Sequence, residues 1–196
     1  MRKGFTLVEL SIVLIIIGLI IGGVMKGRDL INSAEQKKIY NIWVNGWQIA
    51  VNTYQDKTGA MLGDGLVNGG TAAAENRQMD NIRLDNTVTV QNRLTAVGLD
   101  VPVGNIVATR GGSYSIKGKY TTQQVRVELQ WRNGIGGFRN RLFFVNMPTD
   151  VAIAFDRMID ETMDASLGAF RIDGAAPAAA WPNASTTATV NVTFEI

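Results

Sequence analysis

The chain has 196 residues, 46% of them hydrophobic, with 19 basic against 17 acidic side chains, no Cys and no His. Without cysteine there is no disulfide framework, and without histidine the commonest general base and metal ligand are missing, so Ser-His-Asp and Cys-His catalysis and ordinary zinc sites are excluded. The net charge of +2 is owed to Arg2 and Lys3, and beyond them acids and bases balance, so bulk charge gives no support to a nucleic-acid role.

The first element is Phe5 to Met25, FTLVELSIVLIIIGLIIGGVM, in which Glu9 is the only ionisable side chain. As a helix it reaches roughly 32 Å, enough to cross a bilayer. A carboxylate one turn into such a segment is costly and marks Glu9 as a functional residue that needs a partner. The pattern is not that of a secretory signal, which places its small-residue cleavage site after the apolar run. Here Gly4 lies before it, and Gly22-Gly23 is followed at once by Lys26 and Arg28.

Lys3-Gly4-Phe5-Thr6-Leu7-Val8-Glu9 resembles the class III leader of type IV pilins and type II secretion pseudopilins, with the glycine, the aromatic, the Thr-Leu and the glutamate in register. The resemblance implies cleavage between Gly4 and Phe5 by a prepilin peptidase, N-methylation of Phe5, and assembly into a helical filament. It also implies a pilin-like α+β fold, a long N-terminal helix packed on an antiparallel sheet in a C-terminal head. Physical chemistry agrees with this. Arg2 and Lys3 hold the N-terminus in the cytoplasm. Cutting before Phe5 creates an α-amine about one turn from Glu9, and in an apolar bundle the amine of a neighbouring copy neutralises that carboxylate and sets the register between subunits.

The helix is expected to continue to about Lys57, some 80 Å in all, with Gly59 ending it. From Lys26 to Lys57 there is no proline, and Ile39, Trp43, Trp47, Ala50 and Tyr54 form one apolar stripe for docking on a sheet. Many type IV pilins carry a proline where this chain has Lys26. Gly18, Gly22, Gly23 and Gly27 weaken that region, each by about 1 kcal/mol relative to alanine, so a gentler bend is expected. In a filament Gly18, Gly22 and Gly23 are expected to let the helix stretch, or else to permit close packing. The leader is thus residues 1–4, the helix 5–57 with its membrane and assembly segment at 5–25, and the head 58–196.

Within the head, 58–112 reads as a connecting region. Asp56 to Asp64 resembles the helix end and Leu-Pro-Gly-Asp turn of many prepilin-type proteins, with Leu62 in the place of the proline. Residues 65 to 81 read as irregular, and their GDGLVNGG lacks the lysine and the preceding strand of a phosphate loop. Asn86 to Val97 reads as a short helix closed by Gly98, with Leu94 and Val97 inward. Between 113 and 147 the period switches to two: Tyr114–Lys117, Val125–Trp131 and Phe138–Val145 read as strands of a meander, with a hairpin turn between Asn133-Gly134 and Gly136-Gly137.

Seven cations, Arg110, Lys117, Lys119, Arg126, Arg132, Arg139 and Arg141, fall between 110 and 141 against Glu128 alone. They offer a DNA face, a solvated face, or a surface for an acidic neighbour, and DNA is the weakest of the three. Residues 149–196 carry seven acids and two arginines, so the neighbour is expected within the same chain. Pro148-Thr149-Asp150 starts a helix whose inner face is read as Val151, Ala154, Phe155 and Met158. The last strands are Leu167–Asp173 and Thr189–Ile196, separated by a loop in which a buried Trp181 substitutes for the disulfide of classical pilins. Asp160, Glu161 and Asp164 offer oxygen ligands alone and are weak calcium candidates, as in some pseudopilins. No other cofactor is implied. Asn183 and Asn191 head formal glycosylation sequons.

The sequence thus reads as a structural protein, with no convergent catalytic groups. Its first reading is a type IV pilus-like subunit partnered by copies of itself, the prepilin peptidase, the assembly machinery and, before assembly, the inner membrane. The alternatives are a type II secretion pseudopilin or minor pilin, and less so a DNA-binding pilin. Glu9 argues against one tip pseudopilin type that lacks it.

Overall fold

The computed structural model describes residue 4 and residues 6–66, 75–86, 88–134, 137–177 and 179–196. It divides into two compact units, Met1–Lys38 and Ile39–Ile196. In chain order the elements are α1 (Leu7–Ile39), a π-helical turn (Tyr40–Val44), α2 (Asn45–Thr58), β1 (Ile82–Arg83), α3 (Thr89–Ala96), β2 (Ser113–Lys117), β3 (Thr122–Gly134), β4 (Gly137–Pro148), α4 (Thr149–Ile159), β5 (Phe170–Ile172) and β6 (Thr189–Glu195), with a short 3-10 turn at Val107–Thr109. The architecture is α+β, a long N-terminal helix whose second half packs against an antiparallel sheet, as in a pilin-like fold.

In the first unit α1 runs without interruption through Gly18, Gly22, Gly23 and Gly27. The irregularity of the long helix lies later, at Tyr40–Val44, and has a geometric reason. The inward stripe begins with two steps of four, Ile39 to Trp43 to Trp47, and each overshoots a 3.6-residue turn by about 40°. The wider π turn absorbs that drift. As a result the indole N–H groups of Trp43 and Trp47 donate to the same carbonyl, Gly111 O, at 2.7 and 2.9 Å. Trp43, Trp47, Ala50, Val51 and Tyr54 are all buried. Gly59 takes the left-handed conformation and its N–H closes the helix on Gln55 O.

The sheet has the order β1-β3-β4-β6-β5, with β2 sharing the β1 edge of β3, and every pairing is antiparallel. Register sorts the residues onto two faces. Val127 pairs with Phe144, Leu129 with Leu142, and Phe170 with Phe194, so these side chains share the inner face and are buried. Trp43 meets Phe144 edge-on at 5.4 Å between centroids, and Phe155 of α4 meets Phe170 at 6.3 Å. The core therefore lies between the stripe of α2, the inner face of the sheet and α4.

Most expected elements are present. α3 ends as read: Gly98 has a positive φ, and Leu99 N–H returns to Leu94 O at 3.0 Å. Two details differ. The sequence reading has no counterpart of β1, which is only two residues long and is held by β3. The inner face of α4 is Val151, Ala152, Phe155 and Asp156, while Ala154 and Met158 are half-buried. The face is rotated because Asp156 is drawn inward by hydrogen bonds from the Trp181 indole and the Asp164 N–H. Of the stretch 65 to 81, residues 67–74 lie outside the described residues and 75–81 form neither helix nor strand.

Gly111 holds the helix and head core together and leaves no room for a side chain. Its φ is +84° and an added Cβ would lie 2.0 Å from Pro102 O. Gly111→Ala must displace this segment and with it the acceptor of both indoles. The expected loss is about 3–5 kcal/mol of head stability, read by urea unfolding of the full chain in detergent with tryptophan fluorescence as the probe.

Candidate functional site

The N-terminal segment is built on a helix start. Thr6 precedes the first helical residue, Leu7, and Glu9 is the third. The Thr6 N–H donates to Glu9 Oε2 at 2.8 Å, the Thr6 hydroxyl donates to the same oxygen at 2.9 Å, and the Glu9 N–H donates to Thr6 Oγ1 at 3.3 Å. This is a capping box, in which two otherwise unpaired backbone donors of the first turn are satisfied reciprocally. Within one chain, then, Glu9 is partnered by Thr6. Gly4 is exposed and non-helical, and a Cβ there would meet nothing within 4 Å. Phe5, the residue after the expected cut, lies outside the described residues.

From Leu7 to Met25 every side chain is exposed, including Leu7, Ile12, Leu14, Ile16, Leu19 and Ile21. A helix that is apolar all round and uncovered must be buried in lipid or against other helices. Leu7–Thr58 is long and apolar enough in its first part to cross a membrane. At Gly18, Gly22 and Gly23 an added Cβ meets nothing within 4 Å, so among the described residues no contact demands glycine there.

Residues 1–25 match the family model of the prokaryotic N-terminal methylation motif. That motif is the class III prepilin leader signature of type IV pilins and pseudopilins. No curated protein and no solved structure matches the chain. The matched segment contains Gly4, Phe5, the capping box and the glycines of the apolar helix. The chain thus carries the leader of a type IV pilin-like or pseudopilin precursor, and leader and apolar helix together indicate insertion in the inner membrane before assembly.

In the head, four of the seven sheet cations are paired within the chain. Arg126 meets Glu128 at 2.8 Å, Arg132 meets Asp173 at 3.0 Å, and Arg139 and Arg141 meet Glu195 at 4.0 and 3.3 Å. Three of these four thus meet acids of the 149–196 region, where the acidic neighbour is expected, while Arg126 meets an acid of its own strand. Arg110, Lys117 and Lys119 are exposed, with the Lys119 ammonium 5.3 Å from the centre of the Tyr120 ring.

The calcium candidates are engaged otherwise. The two oxygens of Asp160 accept the N–H groups of Ala169 and Phe170, each at 2.9 Å. Asp164 Oδ1 accepts from Ser166 N, Ser166 Oγ and Leu167 N, which holds its carboxyl below the usual range. Glu161 is exposed. Among the described residues no three acidic side chains gather into a metal-binding group.

Asp156 is the acid that sequence reasoning missed. It is fully buried, and its Oδ2 accepts from Trp181 Nε1 at 2.8 Å and Asp164 N at 3.1 Å, while Oδ1 has no partner. Trp181 is half-buried rather than buried as expected, and it anchors the C-terminal loop by its hydrogen bond to Asp156 as well as by packing on the core. Burial, and more weakly the neighbouring Asp160 carboxylate, push the Asp156 carboxyl up to about 6, against the opposing bonds from Trp181 and Asp164. A group whose carboxyl titrates higher folded than unfolded favours the folded state in its protonated form. Its stabilising effect is complete below about pH 4 and is lost as pH rises through about 6. Asp156→Asn mimics the protonated acid: its carbonyl accepts both bonds and its amide replaces the unpartnered oxygen. The variant is expected to match the parent near pH 4 and to exceed it by about 2–3 kcal/mol at pH 7.5, measured by urea unfolding at both pH values. Identical pH slopes in the two proteins would contradict this account.

Proposed function

We propose that the chain is the structural subunit of a type IV pilus-like helical filament. It inserts in the inner membrane as a precursor, is cut between Gly4 and Phe5 by a prepilin peptidase, is methylated at the new N-terminus, and polymerises through its N-terminal helix. The observation that carries this reading is the combination, within residues 1–25, of the methylation motif with an apolar helix whose side chains from Leu7 to Met25 are exposed among the described residues. Lipid covers that surface before assembly, and copies of the same helix cover it afterwards. Glu9, partnered in one chain by Thr6, turns in the filament to the α-amine of Phe5 on the adjoining copy, the positive group that offsets a buried carboxylate. Gly18, Gly22 and Gly23 let the helix stretch when bundled. The role is mechanical and architectural rather than catalytic.

The test is electron microscopy of filaments sheared from cells expressing the chain, with mass spectrometry of the purified fibres. Surface filaments composed mainly of this chain support a pilus subunit. Fibres confined to the periplasm, or filaments holding the chain in trace amounts beside another main subunit, move it to the pseudopilins or the minor pilins.

A further inference from the structure

We propose that the outer face of the sheet carries an oxyanion site, formed by Arg139 and Arg141 of β4, Arg171 of β5 and Thr193 of β6, that takes a tetrahedral dianion of the phosphate or sulfate class. Arg141 pairs with Glu195, and Thr193 pairs with Phe143 on one side and Arg171 on the other. Arg141, Arg171, Thr193 and Glu195 therefore share one face, with Thr193 one diagonal step from Arg141. Glu195 Oε1 alone is approached by all three guanidinium groups, Arg139 at 4.0 Å, Arg141 at 3.3 Å, and Arg171 more closely. Counting the adjoining Arg132–Asp173 pair, four guanidinium groups face two carboxylates.

Two donors in this cluster are unsatisfied. Arg141 is 2% exposed and its Nε has no partner, although Nη2 also reaches Gly137 O at 3.2 Å. Thr193 is 1% exposed and its hydroxyl likewise has none. Buried donors without acceptors cost free energy that an oxygen ligand recovers. Burial, then Arg171 and Arg139, push the Arg141 guanidinium below the usual arginine range, and Glu195 only partly opposes this. Guanidinium groups converging on one carboxylate oxygen, with an unpartnered hydroxyl on the same sheet face, suit a compact oxyanion. A DNA duplex instead needs cations spread along its backbone, and here four of the sheet's cations are already tied to acids of the same chain. Arg139, whose side chain is 58% exposed, forms the open side of the site.

The probe is inorganic phosphate, titrated calorimetrically at pH 7.5 into the full chain in neutral detergent, against sodium chloride at matched ionic strength. Saturable binding to one site per chain is expected. Arg139→Gln, at an exposed position, should weaken it at least tenfold, and Thr193→Val several-fold. Glu195→Gln should tighten it about tenfold, because it removes the carboxylate that competes for the same guanidinium groups. A merely structural role for Glu195 does not produce that gain. The proposal is overturned if phosphate does no more than chloride in both the parent and Glu195→Gln. It is also overturned if Arg139→Gln binds as the parent does, or if duplex DNA binds and inorganic phosphate does not compete with it.

Discussion

Glu9→Val subunits are expected to enter the membrane normally and yet to form no filaments. Removing the carboxylate makes the segment easier to insert, by about 2.5 to 3.5 kcal/mol on the insertion scale. Against this stands the loss of the capping box with Thr6, about 1 kcal/mol at the first turn, too little to unfold a helix that continues for 33 residues as α1. Assembly is another matter, because the amine of Phe5 on the adjoining copy would be left buried and unpaired. Glu9→Gln separates the two jobs. Glutamine at the third helical position still completes a capping box, but carries no charge. Glu9→Gln is expected to fail as Glu9→Val does, in a count of filaments per cell by electron microscopy with membrane levels checked by immunoblot. Normal filaments from Glu9→Gln would reduce Glu9 to a cap.

Gly4→Leu is expected to leave the whole population as uncut precursor in the inner membrane, with no filaments. The local structure makes this variant informative. Gly4 is exposed, lies outside the helix, and has open space where a Cβ would stand, so leucine there disturbs no fold. A block therefore reports on recognition by the peptidase. A Gly4→Leu subunit cut and assembled like the parent would contradict the processing site.

Much of this was legible in the sequence because it depends on short-range pattern. The period-two runs around Val125 and Phe144 give strands, and the stripe from Ile39 to Tyr54 gives the docking face. What escaped depends on distant partners or on small departures from ideal geometry. Ile82 and Arg83 form a strand only because Leu129 and Glu128 lie beside them. The π turn follows from two consecutive steps of four, visible in principle at Ile39, Trp43 and Trp47, yet a stripe is judged by its average period. Asp156 looks like a solvent residue on its own helix and is buried because Trp181, 25 positions later, supplies a donor. At the other end, Thr6-Leu7-Val8-Glu9 has the spacing of a capping box, but inside an apolar segment the glutamate reads first as a membrane charge. The opposite charges of the sheet strands and the C-terminal region did point to each other, since that inference needs only regional composition, whereas convergence of three arginines on Glu195 needs the register of β4, β5 and β6.

In the proposed function the mature N-terminus lies at Phe5 and the helix beginning there builds the filament. The most direct measurement is the mass of the N-terminal peptide from subunits in purified, sheared fibres. The expected peptide begins at Phe5 and carries one methyl group on its α-amine. Assembled fibres whose subunits still begin at Met1 would contradict it.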